Sequence, residues 1–337
     1  MKRVLAEWEK QRVILISFPH KETDWYDAEN SSNFKKAYSP FIRIAQAIAY
    51  SQAVYIICKD KSTIIDMFCS THNMTFIEVP TNDTWIRDYG YISIEENQQI
   101  KLLDFTFDGW GRKFEASLDN KVNQNLHKKG YLGTTALETI DFVLEGGSIE
   151  SDGEGTILTT SACLCNSNRN GGLSKEAVEK KLYTMLGTER ILWLNHGYLA
   201  GDDTDSHIDT LARFIDKESI AYVKCEDSQD EHYEALQKME AEFKAFRTKE
   251  GKPYRLIALP MTEAIYSQEK ERLPATYANF LITNDALLYP TYHDKNDKKV
   301  AELFKELFPQ KEIIPINCLK LIEQGGSLHC STMQVGY

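Results

Sequence analysis

Near one end of the sequence, Gly325-Gly326-Ser327-Leu328-His329-Cys330 puts a thiol just past a turn. Two glycines remove side chains and permit close approach or positive φ. A cysteine so placed either packs as a small apolar residue opening a last core strand, Ser331 to Val335, or meets a small molecule as a nucleophile. Covalent attack by a thiolate splits a difficult hydrolysis into two steps, and it needs a proton-transfer partner. His207-Ile208-Asp209 offers an imidazole and a carboxylate two residues apart. On a strand both would share one face and point into one cavity. By the same alternation His329 points away from Cys330, and His196 and His293 have no supporting neighbours. Two more carboxylates sit beside turns: Asp88, after Arg87, and Glu145, before Gly146-Gly147. An ion pair is the alternative for Asp88, and a solvated turn for Glu145.

The elements that would position these residues repeat. Arg87 to Ile94, Glu145 to Glu150, His207 to Phe214 and Tyr277 to Ile282 each run into a polar turn and a return strand, and a fifth unit opens at Ser327. These are hairpins by alternation and turn chemistry. Asp88, Glu145, His207, Asn279 and Cys330 head the five units at intervals of 57, 62, 72 and 51 residues. Such spacing is too irregular for a solenoid but suits units of variable loop length, whose closure in a ring would bring the leading residues to one centre. Between hairpins, Lys175 to Leu186 and Asp230 to Phe243 read as amphipathic helices. At the start of the chain, Arg12 to Phe18, Ala53 to Cys58 and Met74 to Val79 read as strands. Phe34 to Ser51 and Lys61 to His72 read as helices, with a loop at Asn30-Ser31-Ser32. The class is α/β or α+β.

Composition narrows the function classes. Net charge is −11, from 39 basic and 50 acidic residues. Nucleic acid, which needs a basic footprint, is excluded, whereas an acidic cleft suits a cationic small molecule. Seven cysteines without a framework of spacings fit free thiols in a reducing cytoplasm. Cys163-Leu164-Cys165 has no second Cys/His pair at ligand spacing, so neither metal nor cofactor is expected. No signal peptide or membrane span is expected.

Four blocks carry a resemblance. Trp85-Ile86-Arg87-Asp88-Tyr89-Gly90, Glu145-Gly146-Gly147-Ser148-Ile149, Asp203-Thr204-Asp205-Ser206-His207-Ile208-Asp209 and Gly325 to Cys330 resemble signature blocks of the agmatine deiminase family, which includes bacterial peptidylarginine deiminases. Glu7-Trp8, Pro19-His20, Asp24-Trp25, Asn168-Arg169-Asn170 and Tyr277 to Phe280 resemble further blocks, so the likeness runs from Glu7 to Gln334. It implies one catalytic domain over residues 1–337 with the pentein fold, a five-bladed α/β propeller of ββαβ-type units around a polar centre. It also implies hydrolysis of agmatine to N-carbamoylputrescine and ammonia through a cysteine-bound S-alkylthiouronium.

By the same resemblance, Cys330 attacks, His207 moves protons and Asp88 and Asp209 hold the guanidinium. Glu145 orients His207, Trp85 walls the aliphatic chain, Asp203 takes the distal ammonium, and Gly326 lies in the substrate site. Where a plant-like pattern has Asn-Gly before the histidine, this chain has Asp205-Ser206, which places another carboxylate toward the amine end. The partner is a small cationic guanidino compound, neither nucleic acid nor membrane, with a homodimer as a candidate assembly. Rival readings are deimination of free or peptidyl arginine, amidino transfer, and a non-catalytic binding protein of the same fold.

Overall fold

In the computed structural model, residues 2–26 and 31–337 are described. Among the described residues, five small sheets follow one grammar: an antiparallel pair, a hairpin in four of them, then a third strand added in parallel after a crossover. The plainest are Ile149–Ser151 with Thr156–Thr160 and Arg190–Leu194, and Ala212–Asp216 with Ser219–Lys224 and Arg255–Pro260. Leu281–Ile282 with Ala286–Thr291 and Glu312–Asn317 makes another. Ile92–Glu96, Gln99–Thr106 and Ala136–Val143 repeat the pattern and gain Lys2–Val4 as an edge strand. The fifth sheet joins distant parts of the chain, since Met333–Gly336 pairs antiparallel with Gln11–Ser17. Val54–Cys58 and Met74–Glu78 follow in parallel. The fold is mixed α/β.

Crossovers form where apolar periodicity and caps agree. Lys175–Leu186 starts at Ser174, whose hydroxyl accepts from the Ala177 amide, and stops at Gly187, in the left-handed conformation at φ 70°. Its buried residues, Val178, Leu182 and Leu186, lie four apart on one stripe. Asp297–Leu307 packs Phe304 against Phe280, the residue just before the strand Leu281–Ile282, with ring centroids 5.1 Å apart. Each buried aromatic contributes roughly 1.5–3 kcal/mol over an exposed one. In the hairpin between Glu96 and Gln99, Asn97 and Gln98 both adopt positive φ, as a tight two-residue turn requires.

Three local expectations change. The helix expected at Phe34 to Ser51 spans Ser31–Ala49 and runs through Pro40; Asn30 of the expected loop lies outside the described residues. Lys61 to His72 is not a helix but two 3₁₀ turns, Lys61–Thr63 and Ile65–Met67. Only Ile64 and Phe68 are buried there, too little apolar surface to hold a longer helix, and Asp60 accepts from the Ser62 amide instead. The third concerns the leading residues, which do not begin strands. Asp88 lies in a helical turn, Ile86–Tyr89, and Asp209 in another, Ile208–Leu211, with His207 as its N-cap. Glu145 precedes a 3₁₀ turn at Gly146–Ser148, and Cys330 sits inside one at His329–Ser331, so the last strand starts at Met333. Each of these four turns bends the chain just before the strand that follows it and directs the leading side chain inward.

Candidate active site

The turns converge. Asp88, Glu145, His207, Asp209, Asn279 and Cys330 are all buried. Gly147 marks the meeting point: a Cβ there would lie 2.7 Å from both Asp88 Oδ1 and His207 Nδ1, and 3.2 Å from Asp209 Oδ2. Only a residue without a side chain leaves space for all three groups.

Asp209, Glu145 and His207 each keep one buried side-chain atom without a hydrogen-bond partner, whereas both oxygens of Asp88 are engaged. Asp209 Oδ2 lies 2.7 Å from His329 Nδ1 and 3.8 Å from Cys330 Sγ, while its Oδ1 is buried without a hydrogen-bond partner. Asp88 Oδ2 accepts from Trp110 Nε1 at 2.8 Å, and its Oδ1 accepts from the Gly147 amide at 3.0 Å and faces His207 Nδ1 at 3.5 Å. Glu145 Oε1 accepts from Arg169 Nε at 2.7 Å, and Glu145 Oε2 and His207 Nε2 are both unpartnered. Glu145, Cys163 and His207 bring their potential ligand atoms within 4.8 Å of one another. The fully buried guanidinium of Arg169 already supplies a cation to that corner. Asn279 Nδ2 donates to Cys330 Sγ at 3.3 Å, and its Oδ1 accepts from the His329 and Cys330 amides.

Burial among carboxylates sets the protonation states. Burial, then Asp209 and Asp88, push the Cys330 thiol well above its ordinary range. Burial, Asp209 and Glu145 likewise raise Asp88. Burial lowers His207 to about 3, despite Asp209, so its ring is neutral at pH 7. Burial also works against ionisation of Asp209, but the bond and charge of His329 outweigh it and hold the carboxyl below its usual value. The resting site therefore contains a protonated thiol, a neutral imidazole and one firmly ionised carboxylate.

A cavity of about 310 Å³ opens onto Cys330 and Asp88. Trp85 lies against Gly326, where a Cβ would come within 2.4 Å of the indole. Asp203, Asp24 and Asp83 line the same cavity, as do Trp110 and Phe114. Arg272 lines it too, but its guanidinium is engaged by Asp230 and Glu231.

Most of the sequence-predicted residues thus come together: Cys330, Asp88, Trp85, Asp203 and Gly326 at the cavity, with His207, Asp209 and Glu145 around them. Asp205 does not join them. Its carboxylate turns to Arg169 Nη1 at 2.5 Å and Lys113 Nζ at 2.9 Å, because Asp205 and Ser206 adopt positive φ and swing it outward. His329 also departs from expectation, since a 3₁₀ turn lacks the two-residue alternation of a strand, and the ring reaches Asp209. Trp110 was missed altogether, and Arg169 and Glu7 stood in the resembling blocks with no role assigned to them. For Trp110 the available signal was Gly109-Trp110-Gly111, a large ring between two glycines, all three at positive φ.

Residues 3–336 match the model of the Porphyromonas-type peptidyl-arginine deiminase family. The chain belongs to that family. A Legionella pneumophila (strain Paris) relative, provisionally named agmatine deiminase, is 33% identical over 98% of this chain and 94% of its own. Among solved structures, a cysteine-to-serine variant of C. jejuni agmatine deiminase with substrate bound is 42% identical. Its TM-score is 0.90, and the match covers 99% of this chain and 96% of that one. Agmatine deiminase of Enterococcus faecalis matches at 29% identity and TM-score 0.89 over 99% and 95%. An amidinotransferase from Microseira wollei, at 12% identity and TM-score 0.55 over 99% and 96%, shares the fold alone. The family member described here therefore has an α/β architecture related to that of guanidino-group enzymes. Among the described residues, no helix is long and apolar enough to cross a membrane.

Proposed function

We propose that this protein hydrolyses the guanidinium of agmatine to N-carbamoylputrescine and ammonia. The observation that carries the reading is the ionised Asp209 carboxylate, whose Oδ2 lies 3.8 Å from Cys330 Sγ and whose Oδ1 is buried without a partner, beside a cavity rimmed by carboxylates. A guanidinium entering this site gives paired N–H donors to Asp209 and Asp88, which fixes its plane. Its charge offsets the carboxylates that disfavour the thiolate. The Cys330 proton passes to His207, and sulfur bonds to the guanidinium carbon. Ammonia leaves with the proton from His207, forming the S-alkylthiouronium. A water then gives one proton to His207 and its hydroxyl to the same carbon; the C–S bond breaks as the sulfur takes the hydroxyl proton, which releases the ureido product and restores the Cys330 thiol, and His207 gives its proton to solvent. Glu145 steadies His207 throughout.

Agmatine fits better than arginine because an α-carboxylate would meet Asp203, Asp24 and Asp83, with Arg272 already committed to two acidic partners. Trp85 then flanks the aliphatic chain and Asp203 the distal ammonium, with Gly326 making room for the indole. The family's description names peptidyl arginine, so the test offers agmatine, free arginine and a blocked arginyl peptide and measures ureido product. We expect agmatine to turn over fastest; faster turnover of the peptide would overturn the substrate, and no ureido product from any would overturn the reaction. We further read the five sheets as blades of one closed ring forming a single domain, in a cytoplasmic enzyme that pairs as a homodimer.

A further inference from the structure

His329 lies behind the site and not in it. It is buried, does not line the cavity, and bridges two carboxylates: Nδ1 is 2.7 Å from Asp209 Oδ2 and Nε2 is 2.7 Å from Glu7 Oε2. Glu7 is itself fixed. Its Oε1 accepts from the Ile282 amide at 2.7 Å, and its Oε2 lies 2.9 Å from Arg213 Nη2 and 3.4 Å from Arg87 Nη2. Burial opposes ionisation of Glu7, but Arg213, His329 and Arg87 outweigh it and hold the carboxyl far below its usual range. An ionised carboxylate can only accept. With one at each nitrogen, the geometry puts a proton on both, against the pull of burial, Arg213 and Arg87 toward the neutral ring. The backbone of His329 is pinned as well, its amide donating to Asn279 Oδ1 at 2.8 Å.

The consequence falls on Asp209. A carboxylate has two near-equivalent oxygens and a free χ2 torsion. His329 takes Oδ2, and Oδ1 is left buried and unpartnered. We propose that His329, anchored by Glu7, is the positioning residue of Asp209: it claims one oxygen so that the other is presented to the guanidinium in a fixed plane. This rests on the guanidinium reading of the site. His329 neither touches substrate nor carries protons to it.

The test separates cation docking from thiol reactivity. Alkylation of Cys330 by 2-chloroacetamidine, whose amidinium mimics the planar cation, is compared by mass spectrometry with alkylation by neutral chloroacetamide. In both, sulfur bonds to the methylene carbon, chloride leaves and the thiol proton is lost. The wild type should prefer the amidine. His329→Gln, whose amide reaches the Glu7 end of the imidazole and leaves the Nδ1 position empty, should cut that preference about tenfold or more, in line with misplacing a positioned group, while the chloroacetamide rate stays within about threefold. Asp209→Asn should lose the preference as well, with faster chloroacetamide alkylation because the charge facing the thiol is gone, and adding His329→Gln to it should change the preference little further. His329→Asn, whose amide nitrogen takes the place of Nδ1 and can still donate to Asp209, should recover part of the preference. An unchanged preference in His329→Gln, multiplicative losses of preference in the double variant, or failure of both His329 variants to fold would each overturn the proposal. No preference in the wild type would instead overturn the guanidinium reading, so the two failures are distinct.

Discussion

Gly147→Ala is a one-methyl test of the proposed centre. The added Cβ would stand 2.7 Å from Asp88 Oδ1 and His207 Nδ1 and 3.2 Å from Asp209 Oδ2. Ordinary contacts begin near 3.4 Å, so two groups must each give by roughly 0.7 Å. Gly147 is not at positive φ, so the backbone itself tolerates alanine. Misplacement of about 1 Å in a reacting constellation costs on the order of a hundredfold in rate, about 2.7 kcal/mol of activation free energy. Overpacking of a buried site costs about 1–3 kcal/mol of stability, a loss of several degrees in Tm for a chain of this size. The expected variant is therefore folded and nearly inactive, with kcat falling more than KM rises. Ureido product formation against agmatine concentration, with a thermal melt on the same sample, checks both halves. A folded Gly147→Ala enzyme within threefold of wild-type kcat/KM would refute the convergence of Asp88, His207 and Asp209 on the reacting atoms.

Other perturbations separate the remaining roles. Gly326→Ala, whose Cβ would strike the Trp85 ring at 2.4 Å, should raise KM for agmatine more than it lowers kcat, as steady-state kinetics would show. Trp110→Phe deletes the 2.8 Å bond to Asp88; losing a hydrogen bond to a charged group, roughly 1.5–3 kcal/mol, should lower kcat/KM about ten- to a hundredfold while Tm moves little. Asp203→Asn should raise KM for agmatine about fivefold, near the 1 kcal/mol of a solvent-accessible ion pair. It should leave KM for butylguanidine, which lacks the ammonium, unchanged. Burial, reinforced by Asp24, raises the Asp83 carboxyl to about 7. It is neutral below that pH and anionic above, so KM for the dication should fall as pH rises from 6 to 8, and Asp83→Asn should flatten that slope.

How much of this was legible beforehand follows from the range of the interactions involved. The hairpins were readable because alternation and turn chemistry are local, and the leading residues were found because their types are unusual at hairpin starts. The turns that carry them were not readable. Ile86–Tyr89 and Ile208–Leu211 are four residues each, too short for any periodicity to register, and tertiary packing forms them. His329 was lost for the same reason, since a strand was assumed where a 3₁₀ turn aims the ring inward. Asp205 was misplaced because positive φ at two successive non-glycine residues is set by Arg169 and Lys113. Those partners lie tens of residues upstream. Glu7 stood in one of the resembling blocks, but nothing local gave it a role, and only the fold brings it to Arg213, Arg87 and His329.

Why the site keeps a partnerless carboxylate oxygen follows from its charges. A thiolate at Cys330 would stand 3.8 Å from Asp209 Oδ2, a repulsion of roughly 4 kcal/mol at the effective dielectric of a protein interior. The thiol therefore keeps its proton while the cavity is empty. A guanidinium within hydrogen-bond reach of Asp209 and Asp88 supplies an attraction of the same order and opposite sign. The two carboxylates become its partners, and the thiolate ceases to be penalised. Substrate charge is then the trigger for the nucleophile, which protects the enzyme from alkylation or oxidation between turnovers. On this argument neutral thiol reagents should modify Cys330 slowly in the free enzyme. A small non-reacting amidinium such as acetamidine, at a concentration that only partly fills the site, should accelerate that modification rather than shield the thiol. Simple protection at every concentration would show that the thiolate already exists at rest and that Asp209 does not hold it back.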